Sequence, residues 1–418
     1  MDPGSTARRH LEELVFPFWL GHGIDESYGG FFTCFDNRGR QRLSTDKFTW
    51  SQGRFVWLLA RAARLADRGL LDLDAAELLR HAERGARFLA DHAIRPDGTC
   101  AYLLDRVGAP HGADKRSIYA DCFAAMGLAE LTRCTGGTRW LATIDTIVER
   151  VAADIASGRA PTPPYPVPAG FAAFGPRMIL LNARLDQVHA YEASAPGAPG
   201  AARARAGLAA ARRAALGHRE PDGRFAEMRP ADSAAGHAAG TLLARHRTPG
   251  HALECVWMAL EAGDLLGDHA ADGALLASVA VLCRQGWDPE HGGLLRYTDA
   301  DGPDEPTGRA VGGRYEELVR ATWSSKLWWV HSEACYTTGL AAHRYQDAAS
   351  ARWFDRIWDY TLATFPGGHD GAEWIQIRDR AGLPLDEVVA LPVKDPYHIS
   401  RNLMQLVELH AEPQDAAK

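Results

Sequence analysis

The chain has 418 residues, of which 46% are hydrophobic and 24% are charged, a balance typical of a globular protein. This length fits two or three domains, or one large barrel built from repeats. The net charge of −7 gives no reason to expect nucleic acid or an anionic membrane as a partner, and the sequence has no apolar run long enough to span a membrane.

The seven cysteines are scattered along the chain, and no two of them form a C-x-x-C pair. An odd number of dispersed cysteines speaks against a disulfide framework and against a zinc site. The first residues also lack the apolar core of a signal peptide. The sequence therefore predicts a cytoplasmic protein with reduced thiols and no metal site.

Amphipathic helices are predicted in pairs along the chain, because apolar residues recur in steps of three and four. The ten segments are 54–67, 75–92, 119–135, 140–155, 176–193, 201–217, 252–266, 270–285, 327–346 and 351–365. Glycine-marked segments between them are predicted to form short β-hairpins, at 28–39, 97–108, 222–225, 291–302 and 371–382. Two further stretches are predicted as loops, the proline-rich 160–168 and the polar, glycine-rich 303–313, a candidate flap.

Anchor glycines of these hairpins recur at intervals that fit a unit of roughly 60–80 residues. They are Gly30, Gly98, Gly223, Gly293 and Gly371. Six such units, each with one helix pair, fill the chain, and a period this long fits a closed ring of helical hairpins better than a short-period solenoid. We therefore predict an all-α fold, a six-hairpin α/α barrel or (α/α)6 toroid. Residues 1–418 are expected to form a single domain whose inner helices line a central cavity.

Two histidines each follow a turn that opens a predicted helix. His251 comes directly after a Pro-Gly turn, and Glu254 lies three residues later, so the imidazole and the carboxylate share one helix face. His398 follows Asp395-Pro-Tyr near the C-terminal end. Histidine titrates near neutral pH, and such a pair suits acid–base chemistry. The alternative is that each histidine only caps or packs a helix end.

Polar and aromatic residues elsewhere favour a carbohydrate site. Arg54 lies between Trp50 and Trp57, where a guanidinium can clamp hydroxyls or a developing oxyanion and the indoles suit sugar faces. Asn182 places an amide in an apolar helix, and a substrate hydroxyl is one partner that it could find. The twelve tryptophans of the chain point the same way. Ion pairing and core packing are the structural alternatives.

A second aromatic and charged cluster begins at Lys326. Lys326 and Glu333 are expected on one helix face, Trp329 in the core, and Trp328 and His331 toward the cavity. A packed aromatic helix with one surface ion pair is the alternative.

The chain lacks the glycine-rich nucleotide motifs, the H-E-x-x-H zinc motif and the G-x-S-x-G nucleophile motif. No cofactor is therefore expected. A glycoside hydrolase is an alternative function, with Asp288, Glu316 and Glu373 as candidate carboxylates that form no persuasive pair. A non-catalytic sugar-binding barrel is another, because a fold alone does not define a function.

Several motifs, in order over about residues 10–410, together resemble the N-acylglucosamine 2-epimerase family. They are 47–57, 117–123, 249–254, 286–294, 326–334 and 397–401. The resemblance implies an α/α barrel of six hairpins and an isomerase that inverts sugars at C2 or interconverts aldoses and ketoses. It implies His251 and His398 as the catalytic residues. It also implies substrate binding by Arg54, Asn182, Glu254 and Trp328.

The motifs resemble the N-acylglucosamine branch more than the cellobiose branch, whose helix carries N-x-H-x-H where this chain has Asn182-Ala-Arg-Leu-Asp186. The expected reaction interconverts N-acyl-D-glucosamine and N-acyl-D-mannosamine. An aldose–ketose isomerase of the mannose or glucose type, or an epimerase of another sugar, is the alternative. Two segments depart from the branch: the insertion 303–320 is longer, and 390–396 lacks a glycine-rich run.

Two imidazoles on opposite sides of a sugar can remove the C2 proton and return one to the other face without a metal or a redox cofactor. Glu254 is expected to orient an imidazole or to bind a sugar hydroxyl. The expected partner is a small-molecule sugar. A homodimer is left open, and neither nucleic acid nor a membrane is expected.

Overall fold

The computed structural model describes residues 2–112, 115–231, 235–368, 372–389 and 391–411. The helices in these ranges are α1 Pro3–His10, α2 Phe16–His22, α3 Thr49–Asp67, α4 Ala75–Phe88, α5 Ile118–Thr135, α6 Leu141–Ala156, α7 Phe174–Ser194, α8 Pro199–Leu216, α9 Ala235–Ala238, α10 Leu242–Arg245, α11 Pro249–Leu266, α12 Asp272–Gly286, α13 Arg314–Thr322, α14 Trp328–Arg344, α15 Ala348–Thr364 and α16 Tyr397–Ala411. The strands are β1 Lys47–Phe48, β2 Leu103–Leu104, β3 Phe171–Ala173, β4 Met228–Pro230, β5 Lys326–Leu327 and β6 Ile377–Arg378. None of these helices combines the length and the apolarity of a membrane span.

Six helices form a closed inner ring. In order around the ring they are α3, α5, α7, α11, α14 and α16, and α16 packs back against α3. Five inner helices each pack against the outer helix that follows them in the chain, namely α4, α6, α8, α12 and α15. The sixth hairpin joins the two ends of the chain, because α16 packs against α1 and against the π-helical turn Leu11–Val15 that links α1 to α2. The predicted (α/α)6 barrel is confirmed.

Inner and outer helices differ in how much of their surface is apolar. Outer helix α4 buries a stripe that includes Leu78, Ala82 and Ala86, while Glu77 and Glu83 on its other face are exposed. This is the pattern of a helix with one face on the core. Inner helix α5 is instead buried on nearly all sides, because neighbours in the ring and an outer helix surround it.

The contact between α3 and α5 is close enough to exclude side chains. A Cβ on Gly53 would lie 2.2 Å from the carbonyl oxygen of Phe123, and a Cβ on Gly127 would lie 2.5 Å from the carbonyl oxygen of Gly53. The two backbones therefore meet directly. As a result, the guanidinium of Arg54, next in the chain, lies 4.0 Å from the centre of the Phe123 ring.

The β-structure is smaller and less local than the predicted hairpins. Strand β1 pairs with β2, β3 with β4 and β5 with β6, so each ladder joins segments that are at least fifty residues apart in the chain. Local turns form at the predicted glycines, but each is closed by an isolated bridge, as between Ile94 and Cys100 or between Trp287 and Leu294. Gly371 lies outside the described residues.

Buried lysines fix the strands that precede α3 and α14. The ammonium of Lys47 donates to Asp25 at 3.0 Å and to the carbonyl of Gly29. The ammonium of Lys326 donates to Asp288 at 3.1 Å and to the carbonyl of Gly292. The prediction that Lys326 shares a helix face with Glu333 is therefore wrong, because Lys326 lies in β5, before the helix, and bonds Asp288.

Candidate active site

A cavity of about 260 Å³ lies among the N-terminal halves of the inner helices. All six residues that the sequence singled out for catalysis or substrate binding line it: Arg54, Asn182, His251, Glu254, Trp328 and His398. The inner ring therefore gathers residues that are up to 344 positions apart in the chain into one space.

His398 is held in one orientation and one tautomer. It is the second residue of α16, and its Nδ1 lies 2.7 Å from Oε1 of Glu333, which is fully buried. Its Nε2 lies 3.1 Å from Nη2 of Arg54. Because a guanidinium can only donate, Nε2 accepts that hydrogen bond and Nδ1 carries the proton that it donates to Glu333. In this arrangement the lone pair of Nε2 faces Arg54.

His251 occupies the first turn of α11, where its Nδ1 lies 3.1 Å from Oε2 of Glu227. Burial disfavours the charged imidazole, but the carboxylates of Glu227 and Glu254 outweigh burial, so the pKa of His251 lies above its ordinary value. Glu227 is itself buried, which raises its pKa, but the neighbouring His251 outweighs burial, so the pKa of Glu227 lies below its ordinary value. Among the described residues, none forms a hydrogen bond with Nε2 of His251. The site thus contains one imidazole whose Nε2 faces a guanidinium and a second imidazole whose pKa is raised by carboxylates.

The half-buried indole of Trp329 lies between the two histidines. Its ring centre is 5.1 Å from that of His251 and 5.9 Å from that of His398. The prediction that Trp329 belongs to the core is therefore wrong, since the indole lines the cavity. Close packing sets its position, because a Cβ on Gly250 would lie 2.8 Å from the ring.

Arg54 reaches the cavity between aromatic rings and a carboxylate. Its Nη1 donates to Oδ2 of Asp395 at 2.6 Å, while Nη2 donates to His398. The guanidinium lies 4.9 Å from the ring centre of Tyr397 as well as close to Phe123. Stacking and ion pairing together fix a delocalised positive charge beside the lone pair of His398.

A buried arginine connects the carboxylates below the cavity. Nη2 of Arg401 donates to both Glu254 and Glu333. Glu333 also accepts hydrogen bonds from Asn402 and Trp257 at 2.8 and 2.9 Å. Burial raises the pKa of Glu333, but the positive charge of Arg401 outweighs burial, so the pKa lies below its ordinary value.

This network corrects the expectation that Glu254 orients an imidazole, because Glu254 bonds Arg401 whereas His251 bonds Glu227. Glu254, Glu333 and His398 together have the composition of a metal-ligand set. However, the positive charge that bonds both carboxylates is the guanidinium of Arg401.

Two polar groups in the wall have hydrogen-bonding capacity to spare. The side-chain amide of Asn182 is only 5% exposed, lines the cavity and bonds no described residue. The indole nitrogen of Trp328 is buried and has no partner within the described part of the chain. A buried polar group of this kind costs free energy unless something bonds it, so both groups are suited to a ligand rich in hydroxyl or amide groups.

Other sequence candidates lie outside the cavity. His331 is fully buried, where its Nε2 accepts from the backbone of Leu294 at 2.8 Å, so the expectation that it faces the cavity is wrong. The three carboxylates considered for a glycosidase are also elsewhere. Asp288 pairs with Lys326 and Arg380, Glu316 with Arg320, and Glu373 with Lys394.

Sequence reasoning missed the residues that hold the histidines in place. Glu227 follows the glycine turn at 222–225, and Arg401 lies one helical turn after His398. The three-residue spacing from His398 to Arg401 was a usable signal, because such residues are neighbours on a helix. No such sequence signal pointed to Glu227, because it belongs to a different hairpin from His251.

The fold and the lining define an (α/α)6-barrel protein with a small cavity that carries two oriented histidines. The model of the N-acylglucosamine 2-epimerase (GlcNAc 2-epimerase) family matches residues 30–401. N-acylglucosamine 2-epimerase of Bos taurus is 33% identical over 413 residues, which cover 96% of this chain and 89% of the bovine protein. The Homo sapiens protein of the same name is 32% identical over 408 residues, which cover 95% and 88% of the two chains.

Among solved structures, cellobiose 2-epimerase from Bacillus thermoamylovorans B4167 superposes with a TM-score of 0.76 at 17% identity, covering 97% of this chain and 98% of that chain. At that identity the superposition supports the fold alone. The chain belongs to the N-acylglucosamine 2-epimerase family. It is therefore an isomerase-class enzyme, as its named relatives are.

Proposed function

We propose that the protein interconverts N-acyl-D-glucosamine and N-acyl-D-mannosamine by removing a proton from C2 and returning one to the opposite face. One observation carries the proposal: two histidines line one cavity, and each is held through Nδ1 by a buried carboxylate. Nε2 of His251 is then the nitrogen left for a substrate, and Nε2 of His398 joins it when Arg54 turns away. The whole chain is proposed to act as a single catalytic domain.

The first step is proton removal from the open-chain sugar. The C2 hydrogen is acidic because the C1 carbonyl accepts the negative charge, so the step needs a base of near-neutral pKa and donors for the enolate oxygen on C1. His398 is proposed as the base, since its neutral form presents Nε2. Arg54 is proposed to turn from that nitrogen to the developing oxyanion when the sugar enters.

The second step returns a proton to C2 from the other side. His251 is proposed as the acid, because the carboxylates around it favour the protonated imidazole. The proton on its Nε2 passes to C2, the electron pair of the enolate forms the new C–H bond, and the C1 carbonyl is restored. His398 then carries the abstracted proton, and the reverse reaction exchanges the two roles.

The substrate class is proposed from the names of the relatives and from the cavity. A 2-acylamino group carries one N–H donor and one carbonyl acceptor, and the unpaired amide of Asn182 offers a match for both. Glu254 and Trp328 are proposed to bind sugar hydroxyls. Neither pairing needs a cofactor.

The experiment is deuterium exchange at C2. N-acetyl-D-mannosamine is incubated with the enzyme in D₂O, and the N-acetyl-D-glucosamine formed is examined by proton NMR. We expect deuterium at C2 of the product. His251→Ala and His398→Ala should each lower the rate by about 10² to 10⁴-fold, the usual contribution of a general acid or base. His189→Ala is the matched control, because His189 also bonds a carboxylate, Glu261 at 2.8 Å, but lies outside the cavity.

The same measurement separates the alternatives. Product that retains hydrogen at C2 would exclude the proposed proton transfer. A ketose product formed from mannose or glucose in the same assay would identify an aldose–ketose isomerase. A kcat/KM for mannose or glucose above that for N-acetylmannosamine would refute the substrate class while leaving the two-histidine chemistry in place.

A further inference from the structure

The segment 303–320, which the sequence resemblance predicts to be an insertion, builds part of the cavity wall. After the polar stretch 303–313, the chain forms the nine-residue helix α13. Tyr315 and Leu318, three residues apart on that helix, both line the cavity that holds the two histidines. The insertion is thus in direct reach of whatever the cavity binds.

Backbone contacts attach the start of the insertion to the segment before α11. The amide of Leu242 donates to the carbonyl of Arg309 at 3.0 Å, and the amide of Arg309 donates to the carbonyl of Gly240 at 3.0 Å. Gly308 allows this approach, because a Cβ there would lie 2.7 Å from the amide nitrogen of Leu242. Thr307 adds two hydrogen bonds to Asp299, at 2.7 and 2.9 Å.

Helix α13 also has a small hydrophobic core of its own. Val319, on its inner face, is fully buried and packs with Leu242, Leu243 and Tyr297. This cluster is separate from the main core of the barrel. Burial of the apolar side chains holds α13 in place independently of any ligand.

Tyr315 is further fixed by a buried histidine. Its hydroxyl lies 3.1 Å from Nε2 of His246, whose Nδ1 lies 2.7 Å from the carbonyl of Leu243. Burial lowers the pKa of His246 to about 4, so the ring is neutral, donates from Nδ1 and accepts from the Tyr315 hydroxyl at Nε2. On its other side the Tyr315 ring meets Tyr165 of the proline-rich loop edge to face, with centres 6.4 Å apart.

These contacts bear on the size of the ligand. The cavity of about 260 Å³ falls just below the range of roughly 300–1,000 Å³ that is usual for small-molecule sites. We propose that Tyr315 and Leu318 of α13 form a wall that restricts the cavity to a single sugar unit and excludes a sugar that carries a second unit in glycosidic linkage. The inference rests on the proposed function, because it concerns the substrate of the same site.

The test compares a monosaccharide with a disaccharide that has the same reducing end. One pair is N-acetylglucosamine and its β-1,4-linked dimer, and the second is glucose and cellobiose, so that the outcome does not depend on the N-acyl group. Binding is measured by isothermal titration calorimetry and turnover by C2 deuterium exchange. The proteins are the wild type, Leu318→Ala, and Tyr315→Ala with Leu318→Ala.

We expect the wild type to favour the monosaccharide at least tenfold, and the double variant to raise the disaccharide-to-monosaccharide ratio of kcat/KM at least tenfold. Leu318→Ala alone should raise it by a smaller factor while leaving the bond between Tyr315 and His246 intact. Two variants should leave the ratio unchanged. Tyr315→Phe keeps the ring that fills the space, and Glu317→Ala changes an exposed residue of the same helix.

Equal binding of both sugars by the wild type would overturn the inference, as would a double variant that binds the monosaccharide but still rejects the disaccharide. Failure of the proposed function looks different. If no sugar exchanges its C2 hydrogen, turnover is absent in every variant, and the ratio of binding constants still decides whether Tyr315 and Leu318 limit the size of the ligand.

Discussion

Replacing Glu227 by Gln tests whether a buried carboxylate keeps His251 ready to act as an acid. Glutamine keeps the size of the side chain and an oxygen that can accept from Nδ1 of His251, but it removes the negative charge. In the native protein burial lowers the pKa of His251, and Glu227 is the largest contribution that opposes burial. Without that charge, burial prevails and the pKa of His251 falls.

The size of the effect follows from the short distance. Two unit charges 3.1 Å apart interact by about 5 kcal/mol at an effective dielectric constant of about 20. Solvent relaxation and the retained hydrogen bond reduce this, and a single opposite charge in contact usually changes the pKa of its neighbour by about one to three pH units, or about 1.4–4 kcal/mol. We take that range as the expected displacement.

The assay is the pH dependence of kcat/KM for the direction in which His398 is the base. That direction requires protonated His251, so the rate falls as the pH rises through the pKa of His251. Since the native pKa lies above its ordinary value, this basic limb lies at higher pH than it would for an unperturbed histidine, and Glu227→Gln should move it to lower pH by about one to three pH units. Above the limb, activity should fall by a factor of about 10 to 10³.

Glu220→Gln is the matched control. Glu220 lies on the same turn of the chain as Glu227 but bonds Arg247, at 3.0 and 3.1 Å, instead of a histidine. Its replacement should leave the basic limb in place. The reasoning would be refuted if Glu227→Gln left the limb unmoved with the fold intact, or if Glu220→Gln displaced it equally.

Two further substitutions test how the scaffold supports the site. Asp288→Asn breaks the fully buried pair with Lys326 and should lower the free energy of unfolding by about 3–5 kcal/mol in a denaturant titration. A loss below about 1 kcal/mol would contradict this expectation. Arg380 is the half-buried partner of Asp288, so Arg380→Gln should lower the free energy of unfolding by less. Gly250→Ala places a methyl group 2.8 Å from Trp329 and should lower kcat/KM at least about tenfold, because small displacements of aligned groups are costly. Gly273→Ala is the control for Gly250→Ala, because Gly273 lies on an outer helix with open space around it. An unchanged kcat/KM for Gly250→Ala would show that the position of Trp329 does not depend on its contact with Gly250.

The helices could be predicted from periodicity wherever one face is apolar, and all ten predicted segments are helical in the structure. The N-terminal helices α1 and α2 were not predicted. Pro17 explains this, because proline removes a backbone donor and normally ends a helix. Here it lies at the start of α2, just after the π-helical turn Leu11–Val15, and the chain stays helical through the irregularity.

The site could be predicted only where one segment carries the signal. His251 and His398 stand beside turns at helix starts, which is visible locally. Their partners are not local: Glu227 precedes β4 and Glu333 lies on α14, so ring closure decides which carboxylate meets which imidazole. Helical spacing pointed to Glu254 for His251, but Arg401, from inner helix α16, bonds that carboxylate.

The glycine period reflects the scaffold and not the chemistry. Gly29 and Gly292 both adopt positive φ, +78° and +71°, and each offers its carbonyl to the buried lysine that fixes the start of an inner helix. Only a residue without a Cβ adopts that conformation freely, so glycine suits both of these connections, each one residue before a predicted anchor glycine. His251 and His398 have no counterpart in that period. A ring held by repeated connections can change its cavity residues without losing its fold, which is why the repeat predicted the barrel and only the separate motifs predicted the histidines.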